Sequence, residues 1–252
     1  MEHWQRESQP TAPTVSVQFG PMVTVRQALS AQGDEPLADY DAASRRALVQ
    51  MARYVDEFLT APHPQLGRSG VVCPFARRAV AQDHIQLTAC PVGGEGPEAE
   101  AVILQGMARL RAALDAAGDA TPAHRAIVAV FPNLSEPHGA RMIEKIQRAL
   151  KLSFVERQLM IGQFFPSCPE PGLWSAEFRP LQSPVISLAI RDITIFDAPF
   201  MLDRQAYIDA FVTTFGEAGA ERVAQAAREK GLSTPGVCPR HAAAPAAPSA
   251  HP

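Results

Sequence analysis

The sequence predicts a mixed α/β fold in which a sheet of about four strands lies between flanking N- and C-terminal helices. Segments with the 3.6-residue apolar period of helices alternate along the chain with short apolar runs that are typical of strands. The order of the central elements is β-α-β-α-β-β. Two helical crossovers predict parallel neighbouring strands, and the last two strands can pair antiparallel.

The N-terminal part of the domain is predicted to be helical. Apolar residues recur at helical spacing over residues 38–60, and Pro62 and Pro64 end this helix. A short second helix is expected after Cys73, because Pro74 suits the first position of a helix.

The four strands are predicted from alternating or continuous apolar runs. We expect them at residues 84–92, 126–131, 159–165 and 185–190. Helical periodicity fills the two crossovers, at about residues 102–114 and 142–154. A last helix is expected from about 203 to 230, with a break near Gly216 and Gly219.

The composition divides the chain into one domain with two ends. Residues 1–35 have little long-range apolar periodicity, which predicts a flexible N-terminal arm. Residues 36–232 form a single α/β domain. Residues 233–252 are mostly Ala and Pro, which predicts a disordered tail because such a segment buries too little apolar surface to order itself.

The bulk properties exclude several classes of function. The 252 residues carry a net charge of −3, which provides no general attraction to nucleic acid or to an anionic membrane. No apolar run could span a bilayer, and the first residues lack a secretory signal, so we expect a cytoplasmic protein. No phosphate-binding P-loop, dinucleotide fingerprint, nucleophile elbow or HExxH motif is present. The expected partner is a small-molecule substrate, and the oligomeric state stays open.

Cys73 is the first candidate for chemistry. A thiol at a helix N-terminus, close in sequence to Arg68, Arg77 and Arg78, lies where positive charge favours the thiolate. Such a residue can act as a nucleophile, as a metal or haem ligand, or as part of an anion-binding helix end. A half-buried structural cysteine is an equally good interpretation of the residue alone.

The second candidate segment runs from Gly162 to Pro184. Its five prolines, from Pro166 to Pro184, predict a stiff loop of defined shape, too long for a simple hairpin between two strands. Trp174, Phe178 and Arg179 suit a planar or anionic ligand. The alternative is a lid whose aromatic side chains anchor it to the core.

Together the two segments resemble a bacterial family that is defined by a domain of unknown function. The motifs that carry the resemblance are CPF from Cys73, GQFxPxC ending at Cys168, and a later PGLW, FRPL and SP series that ends at Pro184. The resemblance covers about residues 38–205 and implies no activity.

A more distant similarity links the chain to the YqcI/YcgG-like family, some of whose members are haem-dependent N-oxygenases. Cys73-Pro74-Phe75 and the later Gln163 to Pro166 segment fall in the same order and at similar separation. The similarity implies a haem pocket between the Cys73 helix and the Gly162 loop. The residues expected to bind the cofactor are Arg68, Cys73, Phe75, Phe165, Cys168, Trp174, Phe178 and Arg179.

The sequence departs from that family where an iron ligand would be expected. It has Phe165 in place of a histidine before the proline, and phenylalanine cannot bind iron. Cys73, Cys168 or His138 would therefore have to serve as the metal ligand.

Three functions remain open from the sequence, so whether the chain is an enzyme is uncertain. The first is a haem-dependent oxidoreductase, an oxygenase of small-molecule metabolism. The second is a thiol enzyme with Cys73 as its catalytic residue, because Cys73-Pro74-Phe75-Ala76 also resembles the active-site turn of glutaredoxins and omega-type glutathione transferases. The third is a non-catalytic binding module.

Overall fold

The computed structural model describes residues 18–30, 35–94, 96–116 and 124–232. Five strands and six α-helices lie within these ranges, together with one π-helix and three short 3₁₀ turns. The strands are β1 (Val23–Thr24), β2 (Ile85–Ala89), β3 (Ala126–Val130), β4 (Leu159–Phe164) and β5 (Ser187–Asp192). The α-helices are α1 (Val25–Ser30), α2 (Ala42–Arg53), α3 (Pro74–Ala81), α4 (Pro97–Ala116), α5 (His138–Val155) and α6 (Gln205–Glu229).

The strands form one mixed sheet in the order β1-β2-β3-β5-β4. β2 and β3 are parallel, whereas β5 is antiparallel to both of its neighbours. The mixed α/β class and the four predicted strands are therefore confirmed, and the two-residue strand β1 adds a fifth. A two-residue strand is too short to produce a recognisable apolar pattern.

The position of β5 in the sheet differs from the order of the strands in the sequence, which would place β4 next to β3. The α5 crossover does leave β4 parallel to β3, but the two strands are not neighbours because β5 pairs between them. All five residues of β3 are buried, so both faces of the sheet are covered there.

Two separate cores lie on the two faces of the sheet. One core joins α4 and α5 to Ile127, Ala129, Leu188 and Ile190. The other joins α1, α2 and α3 to the opposite side chains of the same strands, which include Val128. Since side chains alternate along a strand, neighbouring residues of β5 belong to different cores.

The α2 helix continues directly into a π-helix from Tyr54 to Leu59. Together they cover most of the helix predicted over residues 38–60. π-Helical turns are rare and are often found at functional sites. The break expected in the last helix is present at Gly216, whose φ of 58° and ψ of −141° are not helical.

Residues 18–30 belong to the fold, although the sequence placed them in a flexible arm over residues 1–35. Val23 in β1 pairs with Leu87 of β2, and Val25 and Ala28 are buried in the core that contains α2 and α3. The segment is too short for its apolar periodicity to stand out. The rest of the predicted arm up to residue 17, and the predicted tail at 233–252, lie outside the described residues.

No helix in the described ranges is both long enough and apolar enough to cross a membrane.

Replacement of Val25 by Ala tests whether residues 18–30 are part of the cooperative fold. Val25 is 3% exposed, so we expect the change to lower the free energy of unfolding by about 1–3 kcal/mol, measured by urea denaturation. The control is Met22→Ala, because Met22 is 41% exposed and its loss should have little effect. Equal, negligible effects of both changes would show that the segment does not contribute to the core.

Candidate functional site

Cys73 lies at the N-terminus of α3, as the sequence predicted. It is the N-cap residue, and Pro74 occupies the first helical turn. The Cys73 backbone N–H donates to the Leu59 carbonyl at the end of the π-helix, which fixes the entry into α3. The sulfur accepts from the Ala76 N–H at 3.5 Å and is partly exposed. The thiol therefore lies at the positive end of the helix dipole with access to solvent.

Arg191, at the end of β5, lies beside Phe75 and Cys73. Its guanidinium carbon is 5.0 Å from the centre of the Phe75 ring. Asp197 binds the same guanidinium in a bidentate pair, with N–O distances of 2.8 and 2.6 Å. The pKa of Arg191 is raised: burial lowers it, but the charge and hydrogen bonds of Asp197, with a smaller effect of Cys73, outweigh burial. The arginine is therefore charged, and its charge is largely neutralised by Asp197.

On the face of the sheet that packs with α2 and α3, β4 and β5 carry very small side chains. Gly162 of β4 and Ala189 of β5 are register partners, and both keep some solvent exposure although Ala189 lies on an interior strand. A Cβ atom placed on Gly162 would meet only the Phe164 ring, at 3.7 Å. Ala189 packs against the core that contains α2 and α3, and its register partner Gly162 lies on the same face of the sheet. Below, the Cys73 cleft denotes the side of the sheet on which Cys73, Phe75, Gly162, Phe164, Ala189 and Arg191 lie.

A cluster of aromatic rings connects the π-helix to the loop from Gly162 to Pro184, called the proline-rich loop below. The ring centre of Phe58 is 6.0 Å from that of Phe178, and His63 stacks on Phe178 at 4.5 Å and meets Phe58 edge-on. Tyr54 stacks on Phe58 at 5.2 Å and meets Phe164 edge-on. Burial raises the pKa of Tyr54, and the proximity of Cys73 and Cys168 raises it further. The Tyr54 hydroxyl is therefore neutral, and it donates to the Pro180 carbonyl.

The loop from Gly162 to Pro184 contacts the segment that precedes Cys73, and the buried side chain of Phe178 lies at this contact. Phe178 is 3% exposed and packs with Leu66 and Val72. Gly67 has a φ of 77°, and a Cβ atom there would lie 2.1 Å from the Trp174 carbonyl oxygen. The loop therefore rests on the segment that precedes Cys73, and its aromatic anchor is Phe178. Trp174 itself is 56% exposed.

Arg68 and Arg179 bind the backbone of their own loops. Arg68 donates to the carbonyl oxygens of Ser69, Val71 and Val72. Arg179 donates to those of Ala176 and Phe178. These contacts hold the loops in shape, and they engage the two arginines that the sequence analysis assigned to cofactor binding.

Phe165 and Cys168 lie on the opposite face of the sheet from Cys73. Both are buried in the core that contains α4 and α5, whereas Cys73 and Phe75 pack against the core that contains α2 and α3. Burial raises the pKa of Cys168 to about 11 and also raises that of Cys90. These two thiols are therefore shielded from small reagents at neutral pH.

His138 is the exposed first residue of α5, which also places it on the α4 and α5 side. The three predicted metal ligands, Cys73, Cys168 and His138, are thus not brought together on one face. Across the described residues, no group of three or more His, Cys, Asp or Glu side chains is arranged to hold a metal ion.

Ser187, Ala189 and Arg191 of β5 are residues that sequence reasoning missed. They alternate with Leu188 and Ile190, so they share the face that carries Cys73. A signal was present, because small or polar residues occupy every second position of an otherwise apolar strand. Tyr54 was also missed, since its place in an apolar helical pattern indicated only a core residue.

Replacement of Gly67 by Ala tests the contact between the two segments. The added Cβ would overlap the Trp174 carbonyl, and the positive φ adds strain, so we expect a loss of about 2–4 kcal/mol in unfolding free energy. Gly94→Ala is the matched control, because Gly94 has a φ of 88° but no atom within 4 Å of an added Cβ. Urea denaturation should show the larger loss for Gly67→Ala, and equal losses would mean that the loop is not docked there.

The model of a family described as a domain of unknown function, DUF6875, matches residues 48–226, which is more than half of the chain. Neither the curated proteins nor the solved structures contain a significant match to the sequence. The similarity to the YqcI/YcgG-like family is not addressed by these comparisons and stays a prediction.

Proposed function

We propose that this chain, which belongs to the DUF6875 family, is an enzyme of small-molecule metabolism whose reactive group is the Cys73 thiol. The observation that carries the proposal is the position of Cys73 at the N-terminus of α3, where its sulfur is partly exposed and accepts from the Ala76 N–H. Among the described cysteines, Cys90 and Cys168 are buried.

The arrangement favours nucleophilic chemistry at the sulfur. The Cys73 sulfur accepts from the Ala76 N–H in the first turn of α3, at the positive end of the helix dipole. The sulfur would attack an electrophilic carbon of the substrate and form a carbon–sulfur bond. The thiol proton would pass to solvent, and the electron pair of the broken bond would leave with the departing group. The reducing cytoplasm, where thiols persist, suits this chemistry.

The proposal does not depend on the resemblance to glutaredoxins. That fold requires a strand directly before the cysteine, whereas here Val71 forms only an isolated bridge with Pro62. In the described part of the chain, the first strand after Cys73 is β2, beyond α3. The support for a thiol enzyme is therefore the local environment of Cys73.

A haem-dependent oxygenase is the second candidate. Cys73 is suited to bind iron through sulfur, and Gly162 and Ala189 on the same side of the sheet have very small side chains. Haem bound there would supply the activation of dioxygen. The pocket would be the Cys73 cleft, because Arg68 and Arg179 bind their own loops and Cys168 lies across the sheet.

The thiol proposal is tested by the rate of alkylation of each cysteine with iodoacetamide at pH 7, followed by peptide mass spectrometry. A Cys238→Ser background removes the fourth cysteine, which lies outside the described residues. We expect Cys73 to react at least roughly tenfold faster than Cys90 and Cys168, because their burial and raised pKa values suppress the thiolate. Cys168 should gain reactivity only as the pH approaches 11. Slow, equal reaction of all three would remove the proposal.

The haem candidate is tested by the absorption spectrum of protein that is expressed with a haem precursor and then purified. A Soret band that is lost or shifted in Cys73→Ser but kept in Cys168→Ser would support sulfur ligation by Cys73. The Cys168→Ser variant is the control because that residue lies on the opposite face. A featureless spectrum would exclude haem, and together with unreactive thiols it would leave a non-catalytic binding module.

A further inference from the structure

Two surfaces carry most of the exposed large apolar side chains of the described residues. Six such side chains are exposed, and five of them lie in these two places. Leu173 and Trp174, which are 44% and 56% exposed, lie in the middle of the proline-rich loop. Phe196, Phe200 and Leu232 belong to the 3₁₀ turn before α6 and to the end of α6 itself. Exposed apolar groups that are clustered rather than scattered mark interaction surfaces.

Residues 170–177, called the loop tip below, combine these apolar side chains with negative charge. A bridge between Gly172 and Ser175 closes the turn, so a backbone of defined shape presents Trp174 to solvent. The exposed side chains of Glu170 and Glu177 flank the turn, and neither forms an ion pair with another described residue. The loop tip is therefore an aromatic group between two carboxylates that have no counter-charge in the described chain.

The second surface is called the basic aromatic patch below and consists of Phe196, Phe200, Arg222, Lys230 and Leu232. The guanidinium carbon of Arg222 is 5.4 Å from the centre of the Phe196 ring. The Lys230 ammonium donates to the Pro199 carbonyl at 3.1 Å, and Arg222 donates to the Gln225 amide oxygen, so these partners carry no charge. Glu229 accepts from Gln225 instead. The patch thus suits a partner that presents apolar and acidic side chains together.

The loop tip and the basic aromatic patch adjoin one another around Lys151 of α5. The Lys151 Nζ donates to the Phe200 carbonyl at 2.7 Å. Burial lowers the pKa of Lys151, the charges of Asp203 and Glu170 oppose that effect, and the charge of Lys230 adds to it. Because such charge effects fall off with distance, Glu170 of the loop tip and Lys230 of the patch both lie near Lys151. The two surfaces therefore share one side of the domain.

We propose that these two surfaces form the interface of a homodimer with two-fold symmetry, in which the loop tip of each copy docks on the basic aromatic patch of the other. The occupant is a second copy of this chain because both halves of a complementary contact are present on one chain. A two-fold axis between adjoining surfaces makes each contact twice and closes the assembly. Trp174 is then the central apolar anchor, and Glu170 and Lys230 pair across the rim. The inference does not involve Cys73, so it stands apart from the function proposed above.

The oligomeric state is measured by sedimentation velocity on the full-length protein, over roughly 1 to 100 µM and with a reducing agent that prevents disulfides between copies. We expect the wild type to be dimeric in the upper part of this range. Trp174→Ala should weaken the dimer by at least roughly tenfold, because aromatic anchors dominate interface energies. The matched control is Met22→Ala: Met22 is 41% exposed and precedes β1, at the opposite edge of the sheet from β4.

The charge pairs are tested by an exchange between two variants. Glu170→Lys and Lys230→Glu each place like charges opposite one another twice in the dimer, so each should weaken it by roughly tenfold. An equal mixture of the two variants should restore a dimer, visible as the mixed species in native mass spectrometry. In that species the introduced lysine meets the introduced glutamate, and the other contact is unchanged. The control is Arg26→Glu, 69% exposed in α1, which should neither weaken the dimer nor rescue Glu170→Lys.

The results decide between this interface and other occupants. A wild-type protein that stays monomeric at roughly 100 µM would overturn the proposal. A dimer that withstands both Trp174→Ala and the charge exchange would also overturn it, since its interface would lie elsewhere. Oligomers that keep growing with concentration would refute the closed two-fold contact. A monomer that sediments with vesicles of phosphatidylserine and phosphatidylcholine, but not after Trp174→Ala, would assign the loop tip to a lipid surface instead. The wild-type measurement decides even where a variant fails to fold.

Discussion

The pairing of β5 between β3 and β4 is the constraint on which the candidate site depends. A strand with neighbours on both sides has all its ladder hydrogen bonds fixed, so the direction of every side chain along it is fixed too. The side chains of Leu188 and Ile190 therefore point into the core formed with α4 and α5. The side chains of Ser187, Ala189 and Arg191 point to the opposite face of the sheet, on the side of α2 and α3. A shift of one residue in this register would exchange the two sets and remove the site.

The ion pair between Arg191 and Asp197 gives that face its electrostatic character. Asp197 is 3% exposed, and besides Arg191 it accepts from the Thr194 N–H, so it also closes the 3₁₀ turn from Ile195 to Phe200. Removal of one partner from such a buried pair costs about 3–5 kcal/mol, because the other charge is left without compensation. The pair therefore provides a rigid, nearly neutral wall near Cys73 and connects the sheet to the α6 region.

The proline-rich loop acts on the site through the segment that precedes Cys73. Phe178 packs with Leu66 and Val72, and the Tyr54 hydroxyl binds the Pro180 carbonyl, so the loop fixes both the π-helix and the entry to α3. The arginines of the two segments serve the same purpose by binding backbone carbonyls. In the function proposed above, the chemistry takes place at Cys73, and the loop supports the segment that carries it.

The sequence by itself determined the local features of this protein. Apolar periodicity identified the four longer strands, the main helices and the break at Gly216, and Cys73 with Pro74 marked a helix start, because each of these depends on residues close together in the chain. Pairing between distant segments was decided only by the tertiary structure. The insertion of β5, the separation of Cys168 from Cys73 by the sheet, and the joining of Arg191 to Phe75 all follow from strand order and register. The place of residues 18–30 in the fold was likewise hidden, since so short a segment is ordered only by what packs around it.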